Sequence, residues 1–177
     1  MYNFSVFVLS FNLILYLALW ILYKLNFKSY STHNNTLPEV SILIAVRNEE
    51  HNIPSLLEGL RYQSYPKEKI QILIGNDGSE DQSLDLLMQA ANNQIQIMDI
   101  KSQLFGLQGK MNVLAQLVKL AKGQFLLFTD ADMSLNPKWI EGMISSVDTN
   151  PGLVGGFTSI QSDNYFLALQ NVDLHFG

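Results

Sequence analysis

The stretch Val40-Ser-Ile-Leu-Ile-Ala-Val46, running straight into Arg47-Asn48-Glu49-Glu50, decides how this chain is to be read. It is apolar at nearly every position rather than at every second one, which predicts a strand covered on both faces. It gives out into charge. Ile53, Leu56, Leu57 and Leu60 then recur at i, i+3, i+4 and i+7, the stripe of a helix, with Pro54 tolerated in its first turn. The same alternation continues downstream. Residues 70–74 are the next apolar run, followed by the stripe Leu84, Leu87, Met88 and Ala91. Residues 95–100 precede Met111, Leu114, Ala115 and Val118, and residues 125–129 precede Ile140, Met143, Ile144 and Val147. A fifth strand is expected at 153–158 and a last helical stretch at 165–176. Such an order predicts an α/β fold, a mainly parallel sheet with helices on both faces. Sheets of this kind bind ligands at the carboxyl ends of their strands.

Upstream of the first strand the chain changes character. Residues 4–23 are Phe, Val, Leu, Ile, Tyr, Ala and Trp, interrupted only by Ser5, Ser10 and Asn12. A bilayer core of about 30 Å takes roughly 20 such residues as a helix. A core helix of a globular domain rarely stays apolar on every face for this length, and a cleaved leader wants a basic start, whereas Met1-Tyr2-Asn3 carries no basic group. Residues 1–28 are therefore expected to be a single transmembrane anchor, 29–38 a polar linker ending in Pro38, and 39–177 the folded domain. Lys24 and Lys28 follow the apolar run, which by the positive-inside tendency puts the domain on the cytoplasmic side of the cytoplasmic membrane. Trp20, Tyr23 and Tyr30 fall near that interface.

Composition removes several classes of function. The formal net charge is −5 with no block of Lys or Arg, the opposite of a phosphate-neutralising stripe, so no nucleic-acid partner is expected. The lack of cysteine excludes disulfides, thiolate metal sites and cysteine nucleophiles, and suits a domain facing the cytosol. No Gly-x-Ser-x-Gly marks a serine nucleophile. His33, His51 and His175 share no metal-ligand spacing.

What remains is a set of polar groups placed just after apolar runs. Asp130 and Asp132 stand at i, i+2 where Phe-Leu-Leu-Phe-Thr129 ends, so both carboxylates can face one way. Two hard oxygen ligands suit Mg²⁺ or Mn²⁺ that takes further oxygens from a diphosphate, and such an ion neutralises charge on a phosphate leaving group. An isolated Asp-x-Asp is more often a turn or a helix cap; its place at the end of an apolar run argues for a ligand role. Asn76-Asp77-Gly78-Ser79 reads as a turn in which Ser79 or Asp81 caps the next helix, while the Asp77 carboxylate can accept from a base edge or a ribose. Glu49 and Glu50 suit a helix start through the macrodipole, with a ligand role open to Glu49. Gly106-Leu-Gln-Gly109-Lys110 is no phosphate loop of the usual kind, because its glycines are too close and Met111 stands where Ser or Thr would hold magnesium. Lys110 at a helix start opposes the dipole, which points to an anionic partner or, more plainly, to a solvated lysine.

In order and spacing these stretches resemble family 2 glycosyltransferases, whose nucleotide-binding domain has the GT-A fold. The likeness rests on Val40 through Glu50, on Ile72-Leu-Ile-Gly-Asn-Asp-Gly-Ser79, on Gly109-Lys110, on Ala121 through Asp132 and on Pro137-Lys-Trp-Ile140, over roughly residues 38–147. The resemblance implies donor-binding roles for Ala45, Arg47, Glu49, Asp77, Lys110 and Asp130. Glu49 and Asp77 would contact the nucleoside, Lys110 the sugar-diphosphate, and Asp130 with Asp132 the ribose and a divalent metal, Mg²⁺ or Mn²⁺. It implies inverting displacement at an anomeric carbon, a nucleotide-sugar donor, and a glycan or lipid-linked acceptor. It also implies a later acidic base, and often Gln-x-x-Arg-Trp. Neither occurs up to Gly177, so no catalytic base is identifiable and the chain reads as a truncated donor half. Where the family commonly continues Gly-Lys with Ala or Ser and then Ala-Leu-Asn, this chain has Lys110-Met-Asn-Val-Leu-Ala115.

Three functions from different classes fit these residues. The first is a glycosyltransferase. The second is a non-catalytic, donor-binding, membrane-tethered module that acts with a partner. The third is a nucleotidyltransferase, which also sets paired acids and a metal on an α/β sheet and would release pyrophosphate.

Overall fold

The structure, a computed structural model, describes residues 2–26 and 37–147. The chain divides into two units, Met1–Ser31 and Thr32–Gly177. The strand expected at 153–158, the helix at 165–176 and most of the linker lie outside the described residues.

The first unit is a helix, α1 (Tyr2–Asn26). Its side chains at 8–22 are all exposed, among them Leu9, Phe11, Leu13, Tyr16 and Leu22. Asn12, which with Ser10 interrupts that stretch, turns its amide back to donate to the Val8 carbonyl at 2.9 Å. Among the described residues no helix is long and apolar enough to cross a membrane; the side chains described without a break in α1 are those at 8–22.

The second unit alternates strand and helix: β1 (Val40–Val46), α2 (Ile53–Arg61), β2 (Ile70–Asn76), α3 (Ser83–Ala90), β3 (Ile95–Asp99), α4 (Gly109–Val118), β4 (Phe125–Phe128) and α5 (Trp139–Ser145). The strands form a parallel sheet in the order β3-β2-β1-β4. One face carries Ile42, Ile44, Ile72, Ile74 and Leu127 against Ile53, Leu56 and Leu60 of α2, Leu87 of α3, and Ile140 and Ile144 of α5. The other face sets Leu43 and Leu73 against Val113 and Leu117 of α4. The fold is α/β with helices on both faces of the sheet.

The buried side of α4 differs from the stripe expected from its spacing. Val113, Leu117 and Asn112 are buried, while Met111 and Val118 face out. Apolar residues surround this helix, so periodicity does not choose a side. Packing does, together with Asn112, which accepts from the Leu104 N–H at 2.8 Å and donates to the Ser102 carbonyl at 2.9 Å.

Two sets of polar bonds fasten segments at the edges of the sheet. At its amino edge Ser41, fully buried, donates to Gln71 Oε1 at 2.7 Å and accepts from the Gly123 N–H at 2.8 Å. The Gly123 backbone comes so close that a β-carbon would lie 2.4 Å from the Ser41 nitrogen. At the carboxyl edge the loops after β1 and β2 are clasped together. The Asn48 N–H donates to Ser79 Oγ (3.0 Å), Glu49 to Ser83 Oγ (2.8 Å) and Glu50 to Asp81 Oδ2 (3.1 Å). In return Asn48 Oδ1 accepts from the Glu80 N–H (2.8 Å) and Glu50 Oε2 from the Gln82 N–H (2.9 Å). Asp81 also accepts from the Ser83 N–H at 3.0 Å, at the start of α3. Burial pushes the Asp81 carboxyl up, but the bonds from Ser83 and Glu50 outweigh it and hold the group below its ordinary range.

Two outcomes are expected. Gly123→Ala forces backbone apart and lowers unfolding stability by about 1–3 kcal/mol, whereas Gly142→Ala, with open space around it, raises it by roughly 0.5–1 kcal/mol; urea unfolding of the full chain reads both. For Asp81, a depressed carboxyl stabilises the fold above its unfolded pKa of about 3.9 and loses that contribution as pH falls through the folded value. The native chain is therefore more stable than Asp81→Asn at pH 7, and the gap narrows on acidification below about pH 4. A gap independent of pH would show that the Asp81 charge plays no part in the clasp.

Candidate functional site

Because β1, β2 and β3 are parallel and in register, Val46, Asn76 and Asp99 end in one row. The row is tied across by backbone bonds, from the Asp77 N–H to the Val46 carbonyl at 2.8 Å and from the Ile100 N–H to the Asn76 carbonyl at 2.9 Å. Each strand then delivers its polar residues to the same edge. Asn76, itself buried, donates from Nδ2 to Asp99 Oδ1 at 2.9 Å and accepts from the Ser79 N–H at 3.3 Å. The Asn76 amide, with Lys101 3.1 Å from the other oxygen, keeps the Asp99 carboxyl below the usual range.

Asp77 stands one residue beyond this row. Arg47, at the end of β1, brings its guanidinium to 3.9 Å from Asp77 Oδ2. The first residue of α4 lies alongside: a β-carbon on Gly109, whose φ is +56°, would sit 3.8 Å from the same oxygen. Lys110 follows and makes an ion pair with Asp130, which has just left β4. Arg47, Asp77, Lys110 and Asp130 thus reach one place from the ends of β1 and β2, the start of α4 and the end of β4. Asp132, two residues on, is exposed and takes no hydrogen bond or ion pair among the described residues.

The remaining expected residues are placed differently. Ala45 lies within β1 opposite Gly75, half-buried beside Leu43. Glu49 is at the entry to α2, where its Oε2 accepts from Asn52 Nδ2 at 2.7 Å and its N–H is held by Ser83. Glu50 serves the clasp rather than its own helix: the first turn of α2 carries no acid, and Glu50 Oε2 accepts from the Gln82 N–H before α3. His51 is exposed, 3.6 Å from Glu50, while His33 and His175 are outside the described residues.

Sequence reasoning passed over two groups at this edge. Asp99 was hidden inside what reads as an apolar strand, although an acid at the end of an Ile-Gln-Ile-Met run carries the same signal as Asp130. Phe105 was missed as well. It is 88% exposed with a φ of +52°, on the loop leading into Lys110, and Lys119 Nζ lies 5.3 Å from its ring centre. A bulky residue in that backbone region is unusual.

A cavity of about 500 Å³ among the described residues is at the opposite edge of the sheet, lined by Pro38, Glu39, Lys69, Lys122 and Phe125. It gathers no set of converging acids, so the chemistry points to the carboxyl edge. Among the described residues no three acids or histidines form a metal-holding group. Asp130 and Asp132 can supply two hard oxygen ligands, a set that a ligand's own oxygens must complete.

Comparison with known proteins agrees with this arrangement. The model of Glycosyl transferase family 2 matches residues 41–174. Glycosyltransferase AglE of Haloferax volcanii is 31% identical over 142 residues, covering 78% of this chain and 45% of that protein. The putative glycosyltransferase EpsH of Bacillus subtilis is 34% identical over 119 residues, 66% of this chain and 33% of EpsH. Among solved structures, the mannosyltransferase PcManGT of Pyrobaculum calidifontis, in complex with GDP-Man and Mn²⁺, superposes with a TM-score of 0.59 at 19% identity, over 73% of this chain and 38% of that one; at that identity the likeness speaks for the fold. The chain spans less than half the length of each. With the family pattern running through the strands, the clasp and the Asp130 turn alike, the chain belongs to Glycosyl transferase family 2.

Proposed function

We propose that this chain is the donor-binding portion of a membrane-anchored, metal-dependent, inverting glycosyltransferase that moves a sugar from a nucleotide-sugar donor to a glycan or lipid-linked acceptor. The observation that carries it is the meeting of Asp77, Lys110 and Asp130 at the carboxyl edge, with Asp132 beside them and unengaged among the described residues.

The residues fit a divalent cation. Asp130 already draws a cation, the Lys110 ammonium, and Asp132 offers a second hard carboxylate. Mg²⁺ or Mn²⁺ bound there would offset the negative charge that grows on the departing nucleoside diphosphate. The chain's own groups do the rest. Lys110 is half-exposed and, among the described residues, held only by Asp130, so it can exchange that carboxylate for a diphosphate oxygen. It stands in the first turn of α4, whose unpaired N–H groups favour the same anion. Asp77, oriented by Arg47, accepts from the ribose or the base.

In this reading residues 1–28 hold the domain at the cytoplasmic membrane in a single pass, on the cytoplasmic side. Support comes from the apolar run at 4–23, the exposed side chains of 8–22, the internally bonded Asn12, and Lys24 and Lys28 after the run.

Titration calorimetry of the full chain in detergent is the direct test. UDP or GDP binds in the presence of Mn²⁺ and not after EDTA, and Asp132→Ala weakens binding at least about tenfold, roughly 1.4 kcal/mol. Metal-independent binding, or none, would remove the metal-dependent donor site. Binding without donor hydrolysis or sugar transfer would favour the non-catalytic module that acts with a partner. Alkaline carbonate washing of membranes checks the anchor: the chain stays in the pellet, and release to the supernatant would contradict a spanning α1.

A further inference from the structure

The turn that carries Asp130 and Asp132 is held on one side by β4 and on the other by a residue far away in sequence. Between Phe128 and Asn136, no residue makes a backbone–backbone hydrogen bond outside the strand pairing among the described residues, and only Ala131 and Leu135 are buried. What ends this loosely tied stretch is Gln63, just past the end of α2 and 4% exposed. Its Nε2 donates to the Asn136 carbonyl at 2.8 Å and to the Gly59 carbonyl at 3.0 Å. Its Oε1 accepts from the Ile140 N–H at 3.2 Å. One buried amide thus ties the end of α2 to both the exit of the acidic turn and the first residues of α5. Ser64 adds to the clamp, donating from its N–H to the Pro137 carbonyl at 2.8 Å and from Oγ to the same carbonyl at 2.9 Å. Leu135 packs on Gly59, where an added β-carbon would come within 3.2 Å of the Leu135 β-carbon.

From this geometry we infer that Gln63 is a positioning residue for the metal and donor site: it sets where Asp130 and Asp132 stand without touching either. The inference rests on the donor-binding reading above. A buried amide with all three of these bonds made is rigid, and its loss leaves the Ile140 N–H unmet and the Asn136 carbonyl with the Trp139 N–H as its remaining partner among the described residues. Carboxylates that hold a metal depend on such supporting bonds for their orientation.

The test compares Gln63→Ala and Gln63→Glu with Ser41→Ala, which removes a buried polar junction at the opposite edge of the sheet. Gln63→Glu keeps an acceptor for Ile140 but sets a carboxylate against two carbonyl oxygens, so it checks the same clamp at nearly constant volume. All are measured on the full chain, below their unfolding temperatures, by titrating Mn²⁺ at fixed UDP or GDP and by titrating the nucleotide at saturating Mn²⁺. Both Gln63 variants are expected to need about ten times more Mn²⁺, with nucleotide binding at saturating Mn²⁺ close to native. Ser41→Ala lowers thermal stability but leaves the Mn²⁺ requirement at the native value. Native Mn²⁺ dependence in either folded Gln63 variant, or an equal shift in Ser41→Ala, overturns the positioning role. Asp132→Ala run alongside separates the two ideas. If it abolishes the Mn²⁺ effect while the Gln63 variants do not change it, only this inference fails; if the native chain shows no Mn²⁺ effect, the donor reading falls and this inference with it.

Discussion

The pairing of β1 with β2 along their whole length is the constraint on which the rest depends. Val40 faces Ile70 and Val46 faces Asn76 with no offset, so both strands stop in the same row. Parallel strands cannot be joined by a tight turn; each connection must cross over, and α2 makes the crossing between these two. Every strand therefore points the same way, and every loop that follows a strand emerges at one edge. Apolar burial holds the pair in place. Ile42, Leu43, Ile44, Leu73 and Ile74 are fully buried, each worth about 1.5–3 kcal/mol relative to exposure. A one-residue slip would turn these side chains to the opposite face and separate Asn76 from Asp99.

Polar groups in this domain serve to place loops rather than to hold the sheet as a whole. Ser41, Gln63, Asn76, Ser83 and Asn112 are all buried, and all have partners. Unmet, each would cost about 1–3 kcal/mol; met, each fastens a particular segment. Ser41 fixes the approach to β4, Ser83 the entry to α2, Asn112 the loop before Lys110, and Gln63 the far side of the acidic turn. Such bonds are directional, so they select one arrangement of loops that apolar packing would leave free.

That division explains what was legible in the sequence. Apolar runs and helical stripes follow from burial alone, so β1 was readable to the residue, as was the placement of Asp77, Lys110 and Asp130 at strand or helix ends. β2 runs on to Asn76, beyond the apolar run at 70–74, because Gly75 and Asn76 are paired with Ala45 and Val46; pairing across the sheet leaves no mark in the strand's own composition. The side of α4 that is buried was misjudged for a related reason, since the sheet and Asn112 choose it. Gln63 had no local signature. It lies in the polar stretch Tyr62-Gln63-Ser64, and its partners are 73 and 77 positions away. Long-range hydrogen bonds of that kind are invisible to any pattern confined to a window.

In the donor-binding reading, the charges at the carboxyl edge explain why a ligand site belongs there. Arg47 faces Asp77, Lys101 faces Asp99 and Lys110 faces Asp130, while Asp132 has no counterpart among the described residues. The basic partner of each pair is open to water, and in the Lys110–Asp130 pair both side chains are, at 55% and 54% exposure. Pairs of that kind contribute little to folding, so a fold that needed only stability would gain almost nothing by gathering them. Exchange is what such an arrangement makes inexpensive. An incoming anion can take Lys110 from Asp130, and the carboxylate so freed, together with Asp132, then suits a divalent cation. Rigid strand ends hold the partners in place, and the open, weakly bound charges between them leave room for a ligand to replace one partner with another.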